Sequence, residues 1–269
     1  MAKNIKKRSA SHIYFGVNKL TGELKHISEV PSGQKCNCIC AACLQPFEAR
    51  KGTRRRHHFA HVSNYECMYA SEVAIYKAFA EALKQSGFLT LPPVMLRFPA
   101  WHDPELLQEA RRLKIDSVAF ECEPLSYPPL LRVTMQGTPL RILLDFDRYY
   151  DDDDRVELAE EAKAEDYSLL LISMPKIEQD TEFTPDRLQS VLQDNDRTEW
   201  VFSRLEEQWK QKYYAVAVSP PEHGTGNLCP ISFGKYKGKY SDRWIDCAHC
   251  HFNVCLLYTS DAADDRISV

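Results

Sequence analysis

The chain has 269 residues, of which 44% are hydrophobic and 27% charged, a composition that indicates one large or two smaller folded domains. No apolar run approaches the ~20 residues of a membrane-spanning helix, and the charged start lacks the apolar stretch of a secretory signal. We therefore expect a cytoplasmic protein without a membrane partner, whose ten cysteines stay reduced and available to bind metal.

The charge is divided unevenly along the chain. Residues 1–62 contain twelve Lys and Arg against three Asp and Glu, whereas the remainder contains 22 against 35. A basic amino-terminal part on an acidic body favours an electrostatic contact with nucleic acid. The alternative is a docking surface between two parts of the same chain.

The first predicted element is a hairpin over residues 12–30. Ile13, Phe15 and Val17 alternate with polar or small residues, and Asn18–Gly22 has the composition of a turn. This hairpin would support the cysteine-rich stretch that follows it.

The densest group of metal-binding residue types lies in residues 36–61. Two residues separate Cys40 from Cys43, and two residues separate His58 from His61. Two close pairs of thiolate and imidazole ligands, joined by a short loop, are typical of a tetrahedral zinc site. Packing of reduced cysteines and histidines is the alternative. The ligand set stays open because three further candidates are near: Cys36, Cys38 and His57.

Five cations lie between the two ligand pairs. They are Arg50, Lys51, Arg54, Arg55 and Arg56. A metal-ordered loop that carries them would bind phosphates, so the sequence predicts a nucleic-acid contact here. A solvated basic loop without a ligand is an equally weighted alternative.

The next segment predicts two helices separated by a proline-rich linker. Ser71 can cap the first helix and Gly87 can end it. Leu91–Pro93 would then form the linker. A second, short helix is predicted from Glu105 to about Leu113.

Residues 115–174 predict an α/β arrangement of three strands, a helix and a fourth strand. The strands are 115–121, 130–135, 140–146 and 168–174, with Gln136–Gly137 as the turn after the second. The helix begins at the acidic run 151–154, where carboxylates interact favourably with the helix dipole. A calcium loop is excluded there because the run lacks a glycine and alternating oxygen ligands. The helical crossover predicts that the third and fourth strands are parallel.

Thr184–Pro185 and Asn195–Asp196 predict two further helices that cover one side of the sheet. Near the end, Cys229, Cys247 and Cys250 predict a second zinc site, with His251 or a cysteine beyond the natural sequence as its fourth ligand. The pattern Cys-x-x-Cys-His also matches c-type haem attachment, which we exclude because no export signal is present. Residues 255–269 look like translated sequencing-adapter read-through and carry no argument about the fold.

Several of these motifs resemble the CoiA-like family of competence-associated proteins. The resemblance extends over nearly all of residues 30–254, and its zinc block is the most specific part. The matching motifs are Cys38-x-Cys40-x-x-Cys43, Arg50–Gly52, His58-Phe-Ala-His61, Glu66–Cys67, Glu72, Ile115–Val118, the turn at Gly137, Cys229–Pro230 and Asp246–Cys247-x-x-Cys250.

The resemblance implies an amino-terminal zinc module fused to a restriction-endonuclease-like core of the PD-(D/E)XK type. The predicted order of helix, three strands, helix and strand fits that core. The expected organisation is a basic zinc module (1–67), a nuclease-like core with covering helices (68–215), a Cys-rich segment (216–254) and the artefactual tail (255–269).

The resemblance also implies hydrolysis of phosphodiester bonds with Mg²⁺ or Mn²⁺ held by carboxylates of the second and third strands. The family's second-strand acidic residue falls on Leu130, which cannot bind a metal, and its third-strand acidic residue falls on Asp145. The family's His and Lys on the first helix fall on Tyr76 and Ala80.

Two ligand sets therefore stay open at the catalytic position. In one, Asp145 and Asp147 bind the metal together with Glu72 and Glu121; in the other, Asp116 replaces the missing ligand. For Asp116 and Asp147, a solvated strand end is an equal alternative. We accordingly expect a zinc-containing, nuclease-like protein that acts on DNA during uptake or defence. The alternatives are a catalytically inactive nucleic-acid-binding protein of the same fold, and an adaptor whose zinc knuckle binds another protein.

Overall fold

The computed structural model describes residues 12–63, 67–97, 104–123, 127–146, 150–175 and 182–216, with short segments at 222–223, 226–228 and 240–242. The predicted α/β class is confirmed, since helices and mixed sheets both occur in this part of the chain. Within it, no helix is long and apolar enough to cross a membrane. The chain divides into two compact units, Met1–Pro92 with Ala110–Phe202, and Pro93–Glu109 with Ser203–Val269.

The first unit begins with two small antiparallel sheets. Strands β1 (Phe15–Asn18), β2 (Leu24–His26) and β3 (Cys38–Ile39) form one sheet in the order β2-β1-β3. Strands β4 (Phe47–Arg50) and β5 (His58–His61) form a separate hairpin. The predicted hairpin is confirmed by β1 and β2, whose turn is held by the Asn18 side chain.

Helix α1 (Ala70–Ser86) is confirmed as the first predicted helix. It ends because Gly87 adopts a left-handed conformation with φ of 66°, which glycine tolerates without strain. Ser71 does not cap it, however: the Ser71 hydroxyl donates to the carbonyl of His12 at 3.3 Å. The first seven residues of α1 are all buried, so the beginning of the helix lies inside the main core.

The short helix expected from Glu105 to about Leu113 is wrong, and so is the linker before it. The chain forms strands instead: β6 (Phe88–Leu91), β7 (Val94–Leu96), β8 (Glu105–Gln108) and β9 (Arg111–Lys114). In the first unit β6 pairs with β9, and in the second unit β7 pairs with β8. Backbone hydrogen bonds to a distant partner strand override the weak helical preference of this segment.

The central sheet has five strands in the order β10-β11-β12-β13-β14. The three that follow α1 are β10 (Ser117–Glu121), β11 (Leu130–Met135) and β12 (Thr138–Phe146), and they form an antiparallel meander. Helix α2 (Asp152–Ala164) then crosses over to β13 (Ser168–Met174), which pairs with β12 in parallel. The predicted strands, the turn at Gln136–Gly137 and the parallel pair are thus confirmed.

Strand β12 separates two apolar layers. Leu140, Ile142 and Leu144 belong to the main core, which also contains the buried face of α1. Leu143 belongs instead to a smaller cluster with Ala162 of α2. The face of Leu140, Ile142 and Leu144 is apolar, whereas the face of Leu143 also carries Arg141 and the buried Asp145.

The last predicted helices are confirmed in part. Helix α3 (Pro185–Gln193) begins after Thr184, whose hydroxyl accepts from the amide of Arg187. The prediction of a helix from Asn195 is wrong for residues 198–202. These residues form β14 (Thr198–Phe202), which pairs with β13 at the edge of the central sheet. Helix α4 (Arg204–Val216) follows in the second unit, which also has a three-stranded antiparallel sheet: β15 (Glu222–His223), β16 (Gly226–Leu228) and β17 (Tyr240–Asp242).

Candidate metal centre

Three of the predicted ligands converge in the first unit. The ligand atoms of Cys40, Cys43 and His61 all lie within 4.8 Å of one another. The Cys43 sulfur is 3.2 Å from Nε2 of His61, and the Cys40 side chain is fully buried. Two thiols and an imidazole at these separations could hold a metal ion such as zinc. Within the described residues, they form the only such group of three or more Cys, His, Asp or Glu side chains.

The two cysteines are presented by a tight knuckle. The amide of Leu44 donates to the carbonyl of Cys40 at 3.0 Å, and Leu44 itself has a positive φ of 61°. The amides of Ala42 and Cys43 donate to the Cys40 sulfur, and the amide of Gln45 donates to the Cys43 sulfur. Amide donors aimed at sulfur stabilise the thiolate form that binds a metal.

His61 is supplied by the β4–β5 hairpin, where it lies opposite Phe47. The two rings contact each other edge to face, with centroids 4.8 Å apart. Burial lowers the pKa of His61, so the imidazole is neutral near pH 7 and keeps a lone pair for a metal.

The structure does not bring His58 to this group. His58 and His61 are three residues apart on one strand, and side chains an odd number of residues apart project from opposite faces. Nδ1 of His58 lies 2.9 Å from the carbonyl oxygen of Arg56, and its ring contacts His12. His57 is exposed and also lies outside the group.

The spare thiols, Cys36 and Cys38, are placed in the core and not in the metal group. The Cys36 thiol donates to the carbonyl of Phe47 at 3.4 Å, and the Cys38 thiol donates to the carbonyl of Cys36 at 3.2 Å. Burial raises the pKa of Cys38 to about 12, and it raises the pKa of Cys43 as well, so the positions of the thiols and not their pKa values separate the two sets. These two side chains pack, as the alternative interpretation of the cysteine cluster expected.

A further thiol near the group, Cys67, was not among the predicted ligands, and its sulfur is not one of the ligand atoms that all lie within 4.8 Å of one another. Its half-buried sulfur is hydrogen-bonded with the sulfurs of Cys40 and Cys43, and it accepts from the amide of Tyr69. The side-chain hydrogen bond with Cys40 lowers the pKa of Cys67 to about 6, and the same contact together with burial raises the pKa of Cys40. In the sequence, Cys67 stood out only as part of the Glu66–Cys67 motif. Its distance from Cys43 along the chain matches no characteristic ligand spacing.

The basic residues lie at the other end of the same hairpin. We call residues 51–57, which join β4 to β5, the basic tip. Arg54, Arg55 and Arg56 are exposed there. The other two cations are held near the sheet: the Lys51 ammonium donates to the carbonyl of Val30 at 2.6 Å, and Arg50 pairs with Glu48 at 2.8 Å. Three strand steps of ~3.4 Å place the basic tip about 10 Å from the backbone of His61.

The predicted catalytic carboxylates are spread over the first unit. Asp145 on β12 and Glu72 on α1 are both buried, with 3% and 5% of their surface exposed. Glu121 is exposed and pairs with Arg132. Asp116 accepts from the amide of Gly137 at 3.0 Å, so it holds the β11–β12 turn, eight residues or roughly 25 Å along the strand from Asp145.

Two further observations concern the predicted catalytic position. Tyr76, where the resemblance expects histidine, is fully buried, and its hydroxyl accepts from the amide of Leu144 at 2.7 Å and lies 3.3 Å from the Leu144 carbonyl. Burial raises the pKa of Tyr76 well above its usual value, so the hydroxyl keeps its proton.

Asp147 lies outside the described residues, as do the cysteines of the second predicted zinc site, Cys229, Cys247 and Cys250.

Comparison with known proteins does not add a family: no family model, no curated protein and no solved structure matches the chain. The resemblance to CoiA-like proteins therefore stays a prediction from the sequence motifs.

Proposed function

We propose that the protein binds DNA through the basic tip, and that a structural zinc ion at Cys40, Cys43 and His61 holds the hairpin that presents it. The observation that carries this proposal is the row of three exposed arginines, Arg54–Arg56, on a hairpin whose other end supplies a metal ligand. The proposed setting is the CoiA-like one, a cytoplasmic protein that meets DNA during uptake or defence.

The spacing of the arginines suits a nucleic-acid strand. Three consecutive residues span at most about 10 Å. One strand of DNA carries a phosphate every ~3.4 Å along the helix axis, so this row can neutralise two or three phosphates. The other two cations of the loop contact the protein itself, Lys51 the Val30 carbonyl and Arg50 the Glu48 carboxylate, whereas the three arginines are exposed.

The arrangement of the core supports a restriction-endonuclease-like scaffold. Helix α1, the meander β10-β11-β12, helix α2 and the parallel strand β13 follow one another in the order that the resemblance implies. We propose this fold as the platform on which the zinc module is mounted.

We further propose that this scaffold binds DNA without cutting it. Leu130 occupies the position of one expected metal ligand, and leucine has no donor atom. Asp116 and Glu121 are engaged with Gly137 and Arg132. Tyr76 contacts the backbone next to Asp145 through its hydroxyl, where the resemblance expects a catalytic histidine.

The test is DNA affinity as a function of salt for the full chain and for the variant Arg54→Ser, Arg55→Ser, Arg56→Ser. If the arginines contact two or three phosphates, the slope of log affinity against log salt becomes shallower by about 2–3 for duplex DNA. The matched control, Lys19→Ser, Lys35→Ser, Lys84→Ser, removes three exposed cations of the same unit and should leave the slope within about one unit of the parent. Equal slopes for the arginine variant and the parent would refute the proposed contact.

A further inference from the structure

We propose that the two-stranded sheet of β6 and β9 carries a second DNA contact, on which a base of single-stranded DNA stacks. The contact is the outward side of this sheet, formed by Phe88, Thr90, Arg112 and Lys114, which we call the ribbon face. The inference rests on the proposed binding of DNA, and it adds the form of DNA that this second surface prefers.

The pairing of the two strands places an aromatic ring and two cations on one side. Strands β6 and β9 are antiparallel, with Phe88 opposite Lys114 and Thr90 opposite Arg112. Residues that lie opposite each other project from the same side of a sheet, and so do residues two positions apart on one strand. The four side chains of the ribbon face therefore lie together.

The other side of the two-stranded sheet is buried, which fixes the direction of the ribbon face. Leu89 and Leu91 are 2% and 8% exposed and belong to the main core, and Leu113 packs against it. The ring of Phe88, by contrast, is 41% exposed, and both cations of the ribbon face are exposed. A slip of one residue would turn the leucines outward, so burial of the leucines holds the ring and the cations toward solvent.

The ring and one of the cations already contact each other. The guanidinium carbon of Arg112 lies 4.6 Å from the centroid of the Phe88 ring, within the range of a cation–π contact. Phe88 follows directly after Gly87, which ends α1, and its carbonyl accepts from the Ser86 hydroxyl at 3.0 Å. The backbone thus holds the ring in place, and the guanidinium enlarges the flat surface on which a base can stack.

The cations of the ribbon face are placed to bind phosphates. On the central sheet the exposed Arg132 pairs with Glu121, whereas Arg112 contacts an aromatic ring. That contact uses the plane of the guanidinium and leaves the N–H groups at its edge for an acceptor. Two strand steps of ~3.4 Å separate the backbones of Arg112 and Lys114 by about 7 Å, so the two cations can reach two phosphates of one strand.

An exposed ring beside two cations favours single-stranded over duplex DNA. In a duplex the bases are paired and stacked on one another, and they present only their edges in the grooves. In a single strand a base can lie flat on an aromatic side chain while neighbouring cations bind the backbone. The basic tip has three exposed arginines, Arg54–Arg56, and no aromatic ring among them, so it should bind phosphates of either form.

The experiment measures binding of the full chain to labelled oligothymidylate and to a labelled duplex of the same length, by fluorescence anisotropy. Phe88→Leu is the test variant, because leucine keeps an apolar side chain and removes the ring. Trp209→Leu is the matched control: Trp209 is 38% exposed and Lys212 lies 4.7 Å from its ring, but it belongs to α4, whose first turn is acidic. Arg112→Gln with Lys114→Gln is a second variant of exposed side chains, which tests the ribbon face even if Phe88→Leu does not fold.

We expect Phe88→Leu to weaken binding of oligothymidylate by about fivefold or more, the loss of one stacked base, and to leave duplex affinity within about twofold of the parent. The double variant should make the slope of log affinity against log salt shallower by about 1.4 for oligothymidylate. Trp209→Leu should change neither affinity. Unchanged binding of oligothymidylate by Phe88→Leu, equal weakening of both DNA forms, or an equal loss in Trp209→Leu would overturn the inference.

The proposed function and this inference fail separately. If the Arg54→Ser, Arg55→Ser, Arg56→Ser variant has a shallower slope on duplex DNA while Phe88→Leu binds oligothymidylate as the parent does, the basic tip stands and the ribbon face is refuted. The reverse pair of results refutes the basic tip and supports the ribbon face. A parent that binds the duplex and does not bind oligothymidylate also refutes the ribbon face.

Discussion

Replacing Tyr76 with phenylalanine tests whether this residue is a structural part of the core at the predicted catalytic position. The side chain is fully buried, and its hydroxyl contacts both the amide and the carbonyl of Leu144, at 2.7 and 3.3 Å. Tyr76→Phe keeps the ring and its contacts with Tyr127 and Phe146, and removes only the hydroxyl.

The magnitude follows from the groups that lose their partner. A buried backbone donor or acceptor left without a hydrogen bond costs about 1–3 kcal/mol. The amide of Leu144 bears most of this cost because its contact is the shorter one, and the carbonyl adds a smaller share. We therefore expect the free energy of unfolding to fall by about 3 kcal/mol, and the melting temperature to fall by roughly 6–12 °C for a protein of this size.

The assay is urea and thermal unfolding of the full chain, followed by circular dichroism. Ser190→Ala is the control, because it also removes a hydroxyl, but an exposed one that bonds within its own helix. The control should change stability by less than about 0.5 kcal/mol. If Tyr76→Phe is equally mild, the hydroxyl does not hold the β12 backbone, and Tyr76 is free for another role.

Two further predictions concern single residues. Leu44→Gly should raise stability by about 0.5–1 kcal/mol, because Leu44 is strained at a φ of 61° and its side chain is 56% exposed; a loss of stability in urea unfolding would show that its side chain packs. Stability should also fall as the pH rises above about 10, because Tyr76 ionises in the unfolded chain while burial keeps it protonated in the folded one. Since Tyr76→Phe lacks this proton, its stability should fall less steeply over the same alkaline range, and parallel curves would contradict the assignment.

Elements with strong local signals could be predicted from the sequence. Gly87 ends α1 and Gly137 completes the β11–β12 turn, because both adopt positive φ values that glycine accepts without strain. Asp151 caps α2 through its contact with the amide of Asp154. The parallel pairing of β12 with β13 followed from the helix between them.

Elements that depend on a distant partner could not be predicted. The segment Glu105–Gln108 reads as helical in isolation and becomes a strand by pairing with Val94–Leu96. Thr198–Phe202 was also expected to be helical, and it forms a strand by pairing with β13 at the edge of the central sheet. Neither partner is visible in the local sequence pattern, and cross-strand hydrogen bonds outweigh intrinsic helix preference.

The metal group shows the same division. The knuckle at Cys40 and Cys43 was predicted because its spacing alone brings two thiols together. Whether His58 and His61 can bind the same ion depends on the secondary structure of residues 58–61. On a strand the two side chains project from opposite faces, and only His61 lies in the metal group. Cys67, just before α1, has no characteristic spacing from the knuckle and is not part of the group of Cys40, Cys43 and His61.

The central claim is that the zinc-loaded protein binds DNA and does not cut it. In the most direct measurement, the full chain is mixed with labelled single- and double-stranded DNA in the presence of Mg²⁺ or Mn²⁺. Bound DNA and cleaved products are quantified in the same samples, and the variant Asp145→Ala is measured in parallel. We predict complexes that weaken with salt and DNA that stays intact for the parent. Metal-dependent cleavage that disappears in Asp145→Ala would contradict the claim and show that the remaining carboxylates still form a working site.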